Sequence, residues 1–414
     1  MTLALAAGGF AVSLAPAGAV GPPWMLALLA AASFAWVLRA PLDARRDDAL
    51  PALAVLTAAL GLTTIARLSS DLAHRQEAWL LLSIALAIGA GPAFDRFRRF
   101  AAYKYVWVLG SVVLFALVAI FGQEVNGAKL WIRIGPVQYE PVELIKLFIV
   151  LFMAGYLAET ADVIAAARPW SIRSNLKYLG PLFVGWATSM AILVFERDIG
   201  MASLLLATFA TMLYVATRRI DLIVGGATLF GCAVWLAVQH YPYVMARFSV
   251  WRDPFADPLG HGYQALQGLF SLAAGGLFGT GYGLGHPDYI PAVATDYVFA
   301  AFSEEFGALG GMLVIAAFLV LLVRALRVAQ AQPDLYAKLL ASGLAATLGF
   351  QVFIIIAGVL GVFPLTGITL PFFSYGGSSL VANFLLVALV WAISSERVAA
   401  RTSRTSAASV RDRL

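Results

Sequence analysis

Apolar runs of about 17 to 25 residues recur along most of this 414-residue chain, and each is long enough to cross a bilayer as a helix. Backbone groups in hydrocarbon must be hydrogen-bonded within the protein, and the runs lack the two-residue alternation of a membrane β-barrel. With 61% hydrophobic residues, the chain is excluded from the soluble globular class. It is predicted to be an all-α polytopic membrane protein.

Twelve spans are predicted. They cover residues 3–20, 24–38, 50–68, 78–94, 105–122, 141–158, 178–195, 199–216, 220–239, 296–323, 338–362 and 378–395. The first two form a helical hairpin around Gly21, Pro22 and Pro23. A cleaved signal peptide is the alternative, but it needs a basic amino-terminal region, and no Lys or Arg precedes Arg39.

Three regions follow from this pattern. We interpret residues 1–46 as an N-terminal two-span extension and residues 47–395 as the membrane core, with a large outer loop at 240–295. Residues 396–414 are rich in Ser, Arg and Ala, and are predicted to be a disordered basic tail.

Basic residues flank the spans unevenly, and Lys and Arg accumulate on the cytoplasmic side of membrane proteins. With the amino terminus inside, 20 of the 28 Lys and Arg residues fall in cytoplasmic segments. Both termini are then cytoplasmic and the loop 240–295 faces outward. Because the positive charges lie beside spans rather than in one patch, nucleic-acid binding is not predicted. The single Cys232 excludes intrachain disulfides and cysteine-cluster metal sites.

Residues 251–310 form the longest interruption between spans. Arg252, Asp253, Asp257, Asp288 and Asp296 lie in this stretch, in a protein that is only 12% charged. Its many glycines allow close backbone approach, which suits a loop folded over a cavity. A flexible surface flap is the alternative. The stretch is the predicted location of chemistry.

Other polar groups lie at the outer ends of spans. Arg67 either faces a wet interior or extends to the interface. Glu143 and Lys146 share one helix face, so they either pair or face the outer cavity. Arg197 and Asp198 occupy a short outer turn, where a local salt bridge is the alternative to a binding role.

The last outer segment, GVFPLTGITLPFFSYGGSS, is too broken for a helix and too apolar for an ordinary exposed loop. It is predicted to be re-entrant backbone at 364–377, buried against protein.

Three motifs together resemble the SEDS family of FtsW/RodA/SpoVE-type proteins of bacterial cell-wall synthesis. They are LPFFSYGGSS at 370–379, GAKLWIRIGPVQYEPVELIK at 127–146, and the run from GYQALQGL through GGLFGTGYGLG and TDYVF to EEFGALGG at 262–311. The resemblance covers about residues 50 to 395. The first two predicted spans lie outside the family's ten-span core.

The resemblance implies a peptidoglycan glycosyltransferase that polymerises lipid II on the outer face of the cytoplasmic membrane, for division or elongation. It also implies a class B penicillin-binding transpeptidase as partner. The family's essential carboxylate falls on Asp296. The chain departs from the family pattern at Glu140, Val142, Arg197 and Ile355, which puts in doubt any role for an amide at 140 or a hydroxyl at 142.

The chemistry of such a transfer requires a base for the attacking hydroxyl and positive charge for the departing diphosphate. Asp296 is the candidate base; a structural helix cap is its alternative role. Candidates for the diphosphate or cavity are Arg67, Lys129, Arg133, Glu143, Lys146, Asp198, Arg252, Ser374 and Ser378. A divalent cation, Mg²⁺ or Mn²⁺, could share the task, although no ligand spacing specifies one.

Two other function classes stay open at this point. A lipid II flippase or secondary transporter would also have many spans, but the repeat symmetry typical of transporters is not visible in the sequence. A noncatalytic scaffold of a wall-synthesis complex would not need an outer carboxylate beside cations.

Overall fold

A computed structural model of the chain describes residues 46–125, 128–135, 137–167, 178–182, 187 and 198–395. Within these residues, nine helices are long and apolar enough to cross a membrane. They correspond to nine of the twelve predicted spans. The predicted spans at 3–20 and 24–38 and the tail at 396–414 lie outside the described residues, and the span at 178–195 lies mostly outside them.

The first half of the chain contributes six long helices. They are α1 (Ala49–Leu68), α2 (Ser70–Phe94), α3 (Lys104–Phe121), α4 (Val142–Ala166), α5 (Ile199–Thr217) and α6 (Ile220–His240), with a 3₁₀ helix at Phe97–Tyr103 before α3. Two of these helices, α2 and α5, begin directly after a residue whose side chain caps their first turn. Ser69 accepts a hydrogen bond from the backbone N–H of Leu72, and Asp198 accepts one from Met201, so each offsets unpaired donors in a first turn.

A small antiparallel sheet lies between α3 and α4. Its strands are β1 (Gln123–Val125), β2 (Ala128–Ile134) and β3 (Val137–Tyr139), in the order β1–β2–β3. The apolar spans within the described residues are helical, as predicted. The sheet was not predicted, because its strands are too short to show a clear period of two.

Residues 240–295 differ from the predicted loop. They contain two α-helices, α7 (Pro242–Arg252) and α8 (Tyr263–Gly275), and two short 3₁₀ helices at Pro254–Ala256 and Pro287–Tyr289. Pro242 occupies the first turn of α7, where its missing N–H leaves no hydrogen bond unmade. The second half then closes with α9 (Val298–Gln330), α10 (Leu335–Val359) and α11 (Gly377–Ser394).

Four helices form the centre of the bundle. The apolar windows of α1, α4, α10 and α11 are 78%, 67%, 78% and 89% buried, whereas those of α3 and α6 are 11% and 6% buried. The central helices bury side chains on every face, which is typical of a span surrounded by other spans. Helices α3 and α6 instead present most of their apolar surface outward, as expected where lipid is the solvent.

The segment between α10 and α11 is irregular and buried, as predicted for 364–377. Ile368, Leu370, Phe372 and Phe373 are all buried although no helix or strand includes them. A methyl group at Gly61 of α1 would collide with the carbonyl of Phe373, so α1 packs directly on this backbone. The segment is thereby fixed between helices, next to the start of α9.

Candidate functional site

A cavity of about 620 Å³ opens where α7, α8 and the carboxyl end of α10 meet the start of α9. Its polar lining includes Arg247, His261, Gln264 and Asp296, with aromatic and aliphatic side chains around them. A large, mostly apolar cavity with a few convergent polar groups is the expected form of a ligand site. Asp296 is thus the one predicted site residue found among the lining residues of this cavity.

A tight turn presents Asp296 to the cavity. The backbone N–H groups of Thr295 and Asp296 both donate to the carbonyl of Ala292, at 3.2 and 3.1 Å. Ala292 has φ of 50°, a left-handed conformation that costs a residue with a Cβ about 1 kcal/mol or more. Tyr297, and not Asp296, stands at the N-cap of α9. The carboxylate is therefore not occupied in capping that helix.

The buried segment before α11 holds this turn from behind. The Ser374 hydroxyl donates to the carbonyl of Thr295 at 2.6 Å and accepts from the N–H of Leu370 at 3.0 Å. The N–H of Tyr375 donates to the carbonyl of Ala294 at 2.9 Å. The two residues before Asp296 are thus fixed by hydrogen bonds to one rigid piece of backbone.

Gln76 of α2 holds the other side of the same piece of backbone. Its Nε2 donates to the carbonyl of Ser374 at 3.0 Å, and its Oε1 accepts from the N–H of Gly376 at 3.2 Å. The Gln76 side chain is buried, so both hydrogen bonds form away from bulk water, where an unmade one would be costly. Gln76 was not among the predicted residues, because a lone Gln in a helix carries no motif.

Arg247 of α7 is the cation of the cavity. Its Nη1 donates to the carbonyl of Leu365 at 3.0 Å, and its guanidinium lies 4.7 Å from the ring centroid of Tyr243. A methyl group built on Gly367 would lie 3.4 Å from Nη2 of Arg247 and 3.7 Å from Oδ2 of Asp296. The cation and the carboxylate therefore lie close to the same glycine, which has φ of 76°.

Burial raises the pKa of Asp296 above its ordinary value, and the Thr295 hydroxyl and the Arg247 charge act against that shift. Arg247 was not among the predicted residues. A signal for it existed, because Tyr243, Arg247 and Trp251 recur every four residues and so share one helix face. The stretch was predicted to be a loop, where a helical period carries no meaning.

Glu143 and Lys146 lie outside the lining of this cavity. Both side chains are buried, and they form an ion pair inside the helix bundle. The Lys146 ammonium also donates to Oε1 of Gln351 at 2.8 Å and to Oδ1 of Asn383 at 3.3 Å. Of the two predicted alternatives, the structure shows the pairing.

Arg67 binds the glycine-rich segment before α9. Its Nε lies 3.1 Å from Oε1 of Glu305, and its Nη2 donates to the carbonyls of Gly283 and Gly285 at 3.3 and 3.2 Å. Arg67 therefore connects the end of α1 to the glycine-rich segment before α9.

The remaining predicted residues are dispersed. Asp198 is buried as the cap of α5, and this burial raises its pKa. Arg252 ends α7 and is exposed, Arg133 is exposed on β2, and Lys129 lies on β2 opposite Glu124. The Ser378 hydroxyl accepts from the N–H of Glu140 at 2.9 Å. Arg197 lies outside the described residues.

No group of three or more His, Cys, Asp or Glu side chains in the described part of the chain is arranged to hold a metal ion. Within the cavity lining, Asp296 is the single carboxylate. One carboxylate and a bound diphosphate are a common way of holding Mg²⁺, so a cation would need the substrate to complete its site.

Comparison with known proteins places this geometry in a family. The sequence model of the FtsW/RodA/SpoVE family, described as cell cycle protein, matches residues 48–399. The chain belongs to the FtsW/RodA/SpoVE family. As a member of it, the chain is a multi-pass bacterial membrane protein, in agreement with the nine membrane-capable helices in the described residues.

Relatives within the FtsW/RodA/SpoVE family span several cellular processes. Peptidoglycan glycosyltransferase RodA of Mycobacterium bovis is 38% identical over 361 residues, which is 83% of this chain and 77% of the relative. Stage V sporulation protein E of Bacillus subtilis is 36% identical over 286 residues, 68% of this chain and 76% of the relative. A probable peptidoglycan glycosyltransferase FtsW of Thiomicrospira cyclica is 36% identical over 321 residues, 75% and 81% of the two chains.

Two solved structures of the family share the fold. A chain from a peptidoglycan synthase complex, described as coordinating polymerization and crosslinking, aligns with a TM-score of 0.65 at 29% identity, covering 86% of this chain and 99% of that one. The rod shape determining protein RodA of Thermus thermophilus aligns with a TM-score of 0.62 at the same identity and coverage.

Proposed function

We propose that this chain is a peptidoglycan glycosyltransferase that polymerises lipid II, with Asp296 as the general base. One observation carries the proposal: the family's carboxylate position and an unpredicted cation, Arg247, line the same large cavity. A base and a cation are the two groups that transfer of a sugar from a lipid diphosphate requires. Relatives named peptidoglycan glycosyltransferase support the same reaction class.

The reaction would proceed by attack of the acceptor sugar's 4-hydroxyl on the anomeric carbon of the lipid-linked donor. The new bond joins the acceptor oxygen to that carbon, and the bond from the carbon to the diphosphate oxygen breaks. The proton passes to the carboxylate of Asp296, and the electron pair leaves with the diphosphate. Burial makes Asp296 a stronger base than an ordinary aspartate, since it raises the pKa of the carboxyl group.

Arg247 is suited to the leaving diphosphate. The Nη1 atom of its guanidinium donates to the Leu365 carbonyl, which fixes one edge of the group. The Arg247 side chain also lines the cavity. Guanidinium matches phosphate oxygens in bidentate geometry and stays charged at any working pH. A Mg²⁺ or Mn²⁺ ion bound to the same diphosphate would also neutralise its negative charge. Chelation followed by readdition of each metal tests whether the reaction requires one.

The orientation that brings extracellular substrate to the cavity follows from the charge of the loops. Both termini would be cytoplasmic and the cavity would face outward. In a Cys232→Ser background, Leu259→Cys should react with a membrane-impermeant thiol reagent added to intact cells. Labelling of residue 259 only after the membrane is opened would reverse the orientation.

A class B penicillin-binding transpeptidase is the proposed partner. The described part of the chain holds membrane helices and short outer elements, so cross-linking of the peptides requires a second protein. The similarity to a chain of a peptidoglycan synthase complex that couples polymerization with crosslinking supports such an assembly. Co-purification of the two proteins in detergent is the test, and full polymerisation without the partner would argue against obligatory coupling.

The assay that separates the function classes uses purified protein and labelled lipid II. An enzyme converts the label into glycan polymer, a flippase moves lipid II across a vesicle membrane without polymer, and a scaffold does neither. We expect polymer. Translocation alone, or no change of the substrate in the presence of the transpeptidase, would contradict the proposed activity.

A further inference from the structure

The glycine-rich segment at 276–285 carries apolar side chains where an exposed loop would be polar. No Asp, Glu, Lys or Arg occurs between residues 262 and 287. Phe278 and Leu284 are 78% and 70% exposed, and Leu277 is also exposed. The cavity does not explain these side chains, because none of the three belongs to its lining.

Backbone hydrogen bonds fix the depth of this segment along α9. The N–H groups of Ala308 and Leu309 donate to the carbonyls of Gly276 and Leu277, at 2.9 and 3.2 Å. Gly307, with φ of 71°, opens the helix at this point so that the loop can approach. The start of the loop is therefore level with Leu309.

A bilayer whose opposite apolar boundary lies at Arg324 would enclose Leu309 in its hydrocarbon layer. From Leu309 to Arg324, which pairs with Asp47 at the opposite end of the bundle, α9 rises by about 22 Å at 1.5 Å per residue. A hydrocarbon layer is about 30 Å thick. On the outward-facing side of α9, Met312 and Leu313 are 52% and 73% exposed, as lipid-facing side chains would be.

The protein itself satisfies the polar backbone of the loop, as membrane depth requires. The N–H groups of Thr280 and Gly281 donate to the carbonyls of Glu304 and Glu305, at 2.9 and 3.1 Å. The N–H of His286 donates to Oε1 of Glu304 at 2.8 Å.

Arg67 satisfies carbonyls of the same loop, those of Gly283 and Gly285, and pairs with Glu305. Such internal bonding would be unnecessary for a loop surrounded by water. It accounts for two buried glutamates and an arginine that the catalytic proposal does not use.

We propose that residues 276–285 form a membrane-inserted loop, whose Leu277, Phe278 and Leu284 contact lipid acyl chains in the leaflet on the cavity side. The loop continues the lipid-facing surface of α9 that begins at Leu309. Through α8 and the start of α9 it would hold the cavity at a constant depth relative to the membrane surface. This inference stands independently of the proposed reaction.

Spin-label accessibility in lipid nanodiscs tests the insertion. Phe278→Cys and Leu284→Cys, each in the Cys232→Ser background, are labelled with a nitroxide in nanodiscs of phosphatidylethanolamine and phosphatidylglycerol. Collision with oxygen, which concentrates in hydrocarbon, is compared with collision with a polar nickel chelate. We expect both positions to favour oxygen several-fold, as Leu313→Cys on the lipid-facing side of α9 should.

Leu259→Cys is the matched control, since this leucine is 90% exposed but lies beside Asp257 in the charged part of the outer segment. It should favour the nickel chelate. The proposal is overturned if positions 278 and 284 behave like position 259. It is equally overturned if both are shielded from both reagents, because that would mean contact with protein rather than lipid.

Discussion

Asp296 is subject to opposing influences that set its titration. Burial raises the pKa of the carboxyl group, and the Thr295 hydroxyl and Arg247 act to lower it. Because the raised pKa keeps the group protonated to higher pH than an ordinary aspartate, the base form is lost as pH falls through that raised value. The acid limb of the activity profile should therefore lie above the ordinary aspartate range.

Arg247→Gln should move this acid limb to still higher pH, since it removes a charge that favours the ionised carboxylate. It should also lower the rate if Arg247 stabilises the diphosphate. The measurement is kcat/KM for polymerisation against pH. Arg252→Gln, at the exposed end of the same helix, is the control and should leave the limb unmoved. If the acid limb of Arg247→Gln lies at the same pH as in the wild type, the charge of Arg247 does not affect the ionisation of Asp296.

Ser374 was predicted to bind substrate, but its hydroxyl donates to Thr295 and accepts from Leu370. Ser374→Ala should lower kcat with little change in KM, because the hydroxyl positions the Asp296 turn rather than the substrate. The lost hydrogen bonds should cost about 1 to 2 kcal/mol of stability.

Ser378→Ala is the matched control, because this second buried serine bonds Glu140 and has no contact with the turn. It should lose stability by a similar amount and keep its kcat. A raised KM with unchanged kcat in Ser374→Ala would restore the predicted substrate contact.

The sequence predicts Asp296 as a site residue because the carboxylate belongs to a recognisable motif. Arg247 and Gln76 were not identified for physical reasons. The helix that carries Arg247 has only 11 residues and includes two arginines, so hydropathy does not reveal it as a span. Gln76 bonds backbone atoms of Ser374 and Gly376. Because every residue type has a backbone carbonyl, such a bond cannot be recognised from the identity of the partner residue.

At the scale of elements, the irregular segment between α10 and α11 determines how the cavity is closed. Gly367 has φ of 76° and faces both Arg247 and Asp296. Gly367→Ala should lower stability by about 1 to 2 kcal/mol through its left-handed backbone, and should also lower activity because the methyl group meets both side chains.

Gly135→Ala is the control for Gly367→Ala. Gly135 has φ of 62° in the turn between β2 and β3, and an added methyl group there would meet no atom within 4 Å. Comparable losses of thermal stability with loss of polymerisation only in Gly367→Ala would support the assignment. Full activity in Gly367→Ala would remove this segment from the site.

Elements were predictable where hydropathy is strong. Each apolar run in the described residues folds as the expected helix, because a membrane leaves the backbone no other choice. The irregular segment at 364–377 was also predictable from its prolines and glycines. Helices α7 and α8 were not, because each is too short to read as a span and lies among glycines and prolines that favour loops.

For the whole molecule, family membership can be read from the sequence, whereas the arrangement of the cavity requires the structure. Membership in the FtsW/RodA/SpoVE family follows from the match over residues 48–399. Long-range contacts explain what the sequence left open, since Asp296 is fixed by residues far away in the chain, at Gln76 and Ser374. Such contacts depend on helix packing, which one sequence does not specify.

The central claim is that Asp296 removes the proton from the acceptor hydroxyl. It is tested most directly by polymerisation of labelled lipid II with purified Asp296→Asn, which keeps nearly the same shape but cannot accept the proton. Asp288→Asn, at an exposed position of the same segment between α6 and α9, is the control. We expect Asp296→Asn to lose about 10²- to 10⁴-fold in rate while still binding lipid II, and Asp288→Asn to stay active. Wild-type polymerisation by Asp296→Asn, with loss of activity in Asp288→Asn or Glu143→Gln, would contradict the assignment.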